Sequence, residues 1–188
     1  VAKLISAGGG EPVITYHVGK IDAERVMKEI QAWGGKCDMT QFTVNEKNTF
    51  PLNNIDINQL YFFASPKILD ERSKNDDKKM LSLYREIYIY SFKKICNEII
   101  ARIPGCSVFY PSTIFIDKPP KGFKNYIRVK IEGEKVCEKF NNSSLINIVT
   151  PRLPILNTDQ NQAIINQESE KNAEILLPFI MEMQNLSN

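Results

Sequence analysis

The sequence predicts an α/β protein built on a doubly wound parallel sheet with helices on both faces. Two observations predict it. Short stretches rich in β-branched and aromatic residues alternate with helix-period stretches of ten residues or more, and such alternation implies parallel strands joined by crossover helices. PVITYH (12–17) is also almost continuously apolar, as strands covered on both faces are.

The elements follow in order. Residues 1–7 read as the last turns of a helix stopped by Gly8, Gly9 and Gly10. A strand at 12–17 leads to a helix at 22–33, capped by Asp22, with Val26, Ile30 and Trp33 on one face. Strands are expected at 37–44 and 57–64, separated by a polar stretch with room for one helical turn. A charged surface loop at 66–79 precedes a long helix at 77–103, where Leu81, Tyr84, Ile87, Tyr88, Ser91, Ile95, Ile99 and Ile103 recur at helical spacing. Pro104 and Gly105 end it. A strand at 106–116 and a turn at Pro119, Pro120 and Gly122 lead to a helix at 123–140. A fifth strand at 145–150, an irregular loop at 152–167 and an amphipathic helix at 168–185 complete the chain.

With 188 residues, 43% hydrophobic and 24% charged, the chain is expected to form a single globular domain spanning 1–188. A net charge of +2 gives no reason to expect nucleic acid or an acidic membrane as a partner. No apolar run approaches the roughly 18 residues of a membrane span, and the opening VAKLISAGGG has no signal-peptide layout. The cysteines at 37, 96, 106 and 137 form no CxxC pair, so reduced thiols and a cytoplasmic location are expected. One histidine and scattered cysteines give no reason to expect a metal.

The chemistry concentrates between Val108 and Lys130, VFYPSTIFIDKPPKGFKNYIRVK. A strand ending in Ser112 passes through a Pro/Gly-rich turn into a helix that carries Tyr126 and Lys130. Residues four apart share one helix face, so a phenol, an ammonium and a strand-end hydroxyl can meet a single small molecule.

Tyr126-Ile-Arg-Val-Lys130 fits a Y-x-x-x-K motif with Ser112 fourteen residues ahead, and on these residues the chain resembles the short-chain dehydrogenase/reductase family. The strand after the motif ends in Thr150-Pro151, and TYHVGKIDAERVMKEI is similar to that family's second strand and following helix. The resemblance implies a Rossmann-like three-layer sandwich, hydride transfer from a nicotinamide to a small-molecule carbonyl, and catalysis by Ser112, Tyr126 and Lys130. Tyr126 would be the general acid, Lys130 would favour its ionised form, and Ser112 would bond the substrate oxygen. His17, Lys20, Ala64, Lys130 and Pro151 would contact the cofactor. No carboxylate stands at the end of the 12–17 strand, while His17 and Lys20 could accept a phosphate, so NADP is favoured over NAD. Pairing of helices 77–103 and 123–140, whose outer faces carry Tyr84 and Tyr90, would give a homodimer or homotetramer.

The family opens with a strand and a glycine-rich phosphate loop, which the resemblance places ahead of VAKLISA. The sheet in this chain is therefore expected to be incomplete at its N-terminus, that is, N-terminally truncated. Gly8-Gly9-Gly10 is no substitute, because those glycines end a helix instead of opening one. Other family positions differ: Phe62-Phe63-Ala64-Ser65 replaces an Asn-Asn-Ala-Gly run, Thr43 an acid, Tyr88 an asparagine, and Arg152 a glycine. A non-catalytic scaffold of the same fold is thus the competing expectation, and Arg152 is a candidate for meeting an anionic substrate group.

Overall fold

The computed structural model describes residues 1–51, 57–68, 70, 77–156 and 169–186. The chain runs α1 (Ala2–Ala7), β1 (Val13–Tyr16), α2 (Lys20–Ala32), β2 (Asp38–Gln41), β3 (Gln59–Tyr61), α3 (Asp77–Arg85), a π-helical stretch (Glu86–Ser91), α4 (Phe92–Arg102) and β4 (Ser107–Phe109). It continues with β5 (Ser112–Thr113), a 3-10 turn (Ile114–Ile116), α5 (Lys124–Asn142), β6 (Asn147–Val149), β7 (Arg152–Leu153) and α6 (Ser169–Leu186). Residues 46–51 form no helical turn; the rest of the stretch where one was expected, 52–56, and parts of the 66–79 and 152–167 loops lie outside the described residues.

Every described ladder is parallel. β3, β4 and β6 form one sheet in that order, with Leu60 opposite Val108 and Val108 opposite Ile148. β1 pairs β2, with Val13 opposite Asp38. Side chains of a strand alternate between faces, and here both faces are apolar. Leu60, Phe62, Val108, Tyr110 and Ile148 join the cluster built with α3, α4 and α5. Tyr61, Phe109 and Val149 join a second cluster with α1 and α6. Two cores on opposite faces of one parallel sheet make the three layers, and explain why Leu60, Tyr61 and Phe62 are apolar in succession.

Several expectations are corrected. β1 is only half-buried and Thr15 is exposed, because among the described residues its ladder is with β2 alone. The N-cap of α2 is Gly19, not Asp22; Asp22 lies in the first turn and accepts from Arg25 at 3.1 Å. Trp33, expected on the buried face, follows the last helical residue and is 55% exposed. Tyr84, placed by its spacing in the apolar stripe and by the expected pairing on an outer face, is fully buried as the stripe requires, whereas Tyr90 is exposed.

The predicted strand at 106–116 is broken. Proline has no N–H to give a ladder, and pairing with the next strand lapses at Pro111. Tyr110 N still donates to Val149 O at 2.9 Å, and pairing resumes when Ser112 N donates to Pro151 O at 2.8 Å. β5 and β7, with Ser112 opposite Arg152, are thus a bent continuation of β4 and β6. The bend places Ser112 and Thr113 against α5.

The outward edge of β6 is covered by a side chain. Asn141 at the end of α5 accepts from Ile148 N at 2.7 Å and donates to Ile148 O at 2.9 Å. A primary amide here imitates the next strand and blunts an edge that would otherwise invite pairing.

One close approach fixes the distance between α5 and the sheet. A Cβ on Gly133 would lie 2.2 Å from Tyr110 Oη and 2.8 Å from its Cζ, and Tyr110 is fully buried. Alanine in a helix interior ordinarily stabilises relative to glycine by about 1 kcal/mol. Here overpacking dominates, so Gly133→Ala should destabilise by about 1–3 kcal/mol, read as a lower urea midpoint. An unchanged or raised midpoint would contradict this packing.

Candidate active site

α5 brings Tyr126, Lys130 and Glu134 along one side at four-residue spacing, facing the bend at Tyr110–Thr113. Tyr126 and Lys130 are 8% and 4% exposed, so both polar side chains enter the core and need partners there.

Lys130 Nζ donates to Pro111 O at 2.7 Å. It lies 4.0 Å from the ring centroid of Tyr88, 4.9 Å from that of Tyr110 and 5.9 Å from that of Tyr126. Ring faces attract a cation through their quadrupoles, most strongly where water is excluded. Burial pulls the Lys130 ammonium down to about 7, opposed by Cys137 and by the Glu134 carboxylate.

Tyr88 is placed by a helix irregularity. Glu86–Ser91 winds as a π-helix, and Ser91 Oγ donates to Glu86 O at 2.7 Å. Such widened turns release backbone groups, and the Tyr88 carbonyl accepts from Tyr110 Oη at 3.2 Å. The Tyr88 hydroxyl bonds Ser65 Oγ at 2.6 Å. Its ring therefore spans from Ser65 to the Lys130 ammonium, and burial drives its phenol far above the usual range.

The Tyr126 phenol is pushed up to about 12, mainly by burial; a hydrogen bond with the Thr113 hydroxyl opposes the rise and Tyr84 adds to it. Ser112 Oγ donates to Glu134 Oε1 at 2.6 Å. Arg152 grips the same carboxylate through Nε at 2.9 Å and its second terminal nitrogen at 2.7 Å, and reaches Asp117 Oδ1 at 2.5 Å. Arg152 first, and then the Ser112 bond, hold Glu134 below the usual carboxylate range despite its burial. The three sequence-predicted residues thus stand in one corner, each with a different partner: Glu134 for Ser112, Thr113 for Tyr126, Pro111 O for Lys130.

The remaining expected contacts are spread more widely. His17 is exposed after β1, its Nδ1 2.7 Å from Thr43 Oγ1. Lys20 is exposed and 3.9 Å from Glu24. Ala64 is half-buried against the larger core. Pro151 lends its carbonyl to Ser112 and borders a groove of about 400 Å³ along β6, also lined by Phe179 and Glu182. Phe62 is core, 5.0 Å from the Phe92 ring and 6.0 Å from that of Tyr110, while Phe63 is 40% exposed beside the sheet. Arg152, a candidate for an anionic substrate, is engaged by two carboxylates of its own chain.

Thr113, Glu134 and Tyr110 escaped the sequence reading. For Glu134 a signal existed: it continues the Tyr126, Lys130 spacing by one further turn. Thr113 adjoins Ser112, and only the break at Pro111 decides which hydroxyl faces Tyr126. Among the described residues no group of His, Cys, Asp and Glu could hold a metal ion, and no described helix is long and apolar enough to cross a membrane.

Burial of Lys130 makes stability depend on pH. Its pKa is about 7 in the fold and about 10.4 in an unfolded chain. Between those values the unfolded state binds more protons, so this residue's contribution rises with pH. Relative to Lys130→Met, the wild type should gain stability between pH 7.5 and 9.5 by up to about 1.4 kcal/mol per pH unit. Denaturant titrations of both proteins at several pH values would show it; a pH-independent difference would contradict a buried, depressed lysine.

No protein-family model and no curated protein matches the chain. Solved structures do. An alternative dihydrofolate reductase 1 (FolM) from Brucella suis in complex with NADP superposes with a TM-score of 0.73 at 12% identity, over 98% of this chain and 81% of that one. A 3-oxoacyl-(acyl-carrier-protein) reductase from Agrobacterium tumefaciens C58 with NADP bound gives 0.71 at 13% identity, over 97% and 72%. An alcohol dehydrogenase from the archaeon Thermococcus sibiricus complexed with 5-hydroxy-NADP gives 0.73 at 14% identity, over 97% and 83%. At these identities the likeness shows the fold: the chain has the Rossmann-like α/β fold of the short-chain dehydrogenase/reductases.

Proposed function

We propose that the chain is a carbonyl reductase of the short-chain dehydrogenase/reductase type using NADPH, with Tyr126 as general acid. The observation that carries this reading is the corner itself. A phenol bonded to a hydroxyl, with a buried ammonium one helical turn away, stands where the sheet bends at the carboxyl end of β4. Ligands of doubly wound sheets bind at that edge. The NADP bound to the superposable reductases supports the choice of cofactor class.

The residues fit a dinucleotide best at the end of β1. His17 and Lys20 are exposed there, and together they suit the additional phosphate of NADP. Lys130, expected at a ribose, is turned inward to Pro111 O beneath Tyr88, so its reach to a sugar hydroxyl requires the Tyr88 ring to swing aside. When bound, the reduced nicotinamide supplies a hydride to the carbonyl carbon. Tyr126 gives its proton to the carbonyl oxygen, leaving a phenolate that the positive charge of Lys130 favours. Ser112 keeps Glu134 in place beside Lys130.

A specific observation favours a second reading, a non-catalytic protein of the same fold. The Tyr88 ring and hydroxyl close the route from Ser65 to Lys130. Nicotinamide fluorescence separates the two. The reductase reading predicts saturable binding of NADPH, tighter than of NADH, and weakening of the NADPH preference in Lys20→Glu. Tyr126→Phe should cut turnover by about 10²-fold or more with little change in the urea midpoint. Absence of binding to either dinucleotide would favour the scaffold, and turnover surviving in Tyr126→Phe would remove Tyr126 as the acid.

A further inference from the structure

Tyr88 joins a hydroxyl at the surface to an ammonium in the core. Ser65 lies beyond β3 and is exposed, whereas Tyr88 and Lys130 are 2% and 4% exposed. The Tyr88 hydroxyl is 2.6 Å from Ser65 Oγ, and the Lys130 ammonium stands over the ring of the same side chain, 4.0 Å from its centroid. Counting protons settles the direction of the hydroxyl bond. A serine hydroxyl carries one proton, and that of Ser65 is donated to Pro66 O at 2.9 Å. Tyr88 is therefore the donor and Ser65 the acceptor. The backbone beneath the ring is held separately. Tyr110 Oη donates to Tyr88 O at 3.2 Å, and Ser91 Oγ donates to Glu86 O at 2.7 Å across the π-helical stretch. Movement of the Tyr88 ring thus needs a side-chain rotation and the loss of its contacts with Ser65 and Lys130, while the helix backbone stays in place.

We propose that the Tyr88–Ser65 bond is an autoinhibitory latch: while it is made, the Tyr88 ring shuts Lys130 off from ligands, and when it breaks, the ring turns out past Ser65 and opens the lysine to the carboxyl edge of the sheet. The bond suits that task. It is neutral and one end lies at the surface, so water can take the place of the lost partner and no buried group is left unsatisfied. The bonds around it are of another kind. Ser112 and Arg152 both bond the Glu134 carboxylate, and bonds to ionised acceptors are roughly twice as strong as neutral ones, so that side of the corner holds still while the ring moves. A ligand that binds only the open form has its apparent affinity reduced by the fraction open. That this ligand is a dinucleotide rests on the reductase reading; the latch concerns Tyr88, Ser65 and Lys130 alone and is read without cofactor.

The test follows acylation of Lys130 by mass spectrometry over hours, against Lys20 of the same molecule, whose side chain is 62% exposed. Tyr88→Phe removes the donor and keeps the ring; Ser65→Ala removes the acceptor at an exposed position. Losing one neutral hydrogen bond should multiply the open fraction, and the Lys130 rate with it, by about 2- to 10-fold. The double variant should go no further than either single one, because both remove the same bond. Thiol labelling of Cys96, 0% exposed in α4, should stay unchanged in all three. Unchanged Lys130 rates in both single variants would overturn the latch, as would additive effects in the double variant. So would a rise in Cys96 labelling that keeps pace with Lys130, since the fold as a whole would then be opening. NADPH should bind the variants more tightly by the factor seen in acylation. Faster acylation with no NADPH binding to any of the proteins would leave the latch standing and remove the dinucleotide as its ligand.

Discussion

The burial of one ammonium constrains most of what surrounds it. An isolated charge in the interior costs several kcal/mol even after relaxation, and Lys130 is 4% exposed. Its compensation comes from three sources. Pro111 interrupts the ladder of β4, and its carbonyl accepts from Nζ. Tyr88, Tyr110 and Tyr126 turn ring faces toward the cation. Glu134, one turn along α5, adds negative charge nearby. Each source requires a further feature. Tyr110 fits only because residue 133 has no side chain, and Tyr88 lies on a helix wound wide at Glu86–Ser91.

Glu134 links this cage to the rest of the edge. It attracts Lys130, and it is also the anchor for Arg152 and Ser112, and Arg152 carries the connection on to Asp117. α5, the β5–β7 extension and the 3-10 turn are thereby joined through one carboxylate. Bidentate arginine–carboxylate geometry gives orientation as well as energy, which suits a place where the backbone must bend and still hold Thr113 toward Tyr126.

Much of the fold was legible because the strands carry apolar residues on both faces. Leu60, Tyr61 and Phe62 look alike in sequence, and they divide between two cores. The long helix was legible from its stripe, but its π-helical stretch was not, since spacing at 3.6 residues does not register one widened turn. The pairing of Ser112, Tyr126 and Lys130 in one corner followed from the four-residue spacing and the Pro/Gly-rich turn. Their partners did not follow from it. Which of Ser112 and Thr113 faces Tyr126 depends on a strand broken at a proline, and Arg152 meets Glu134 across eighteen positions of sequence. The burial of the lysine was not legible, because nothing local to it says that Tyr88 and Tyr110 arrive from other elements.

Lysine reactivity tests the central claim most directly. The protein would be treated briefly at pH 7.5 with an amine-acylating reagent, and modification at each lysine read by mass spectrometry. Lys36 and Lys20 have side chains 77% and 62% exposed and should react fully. Lys130, with its depressed pKa, would be among the fastest to react if reagent could reach it, so its closure beneath Tyr88 and Tyr110 predicts that it stays unmodified until the protein is unfolded. Modification of Lys130 at the pace of Lys20 in the folded protein would contradict the buried cage and the arrangement built around it.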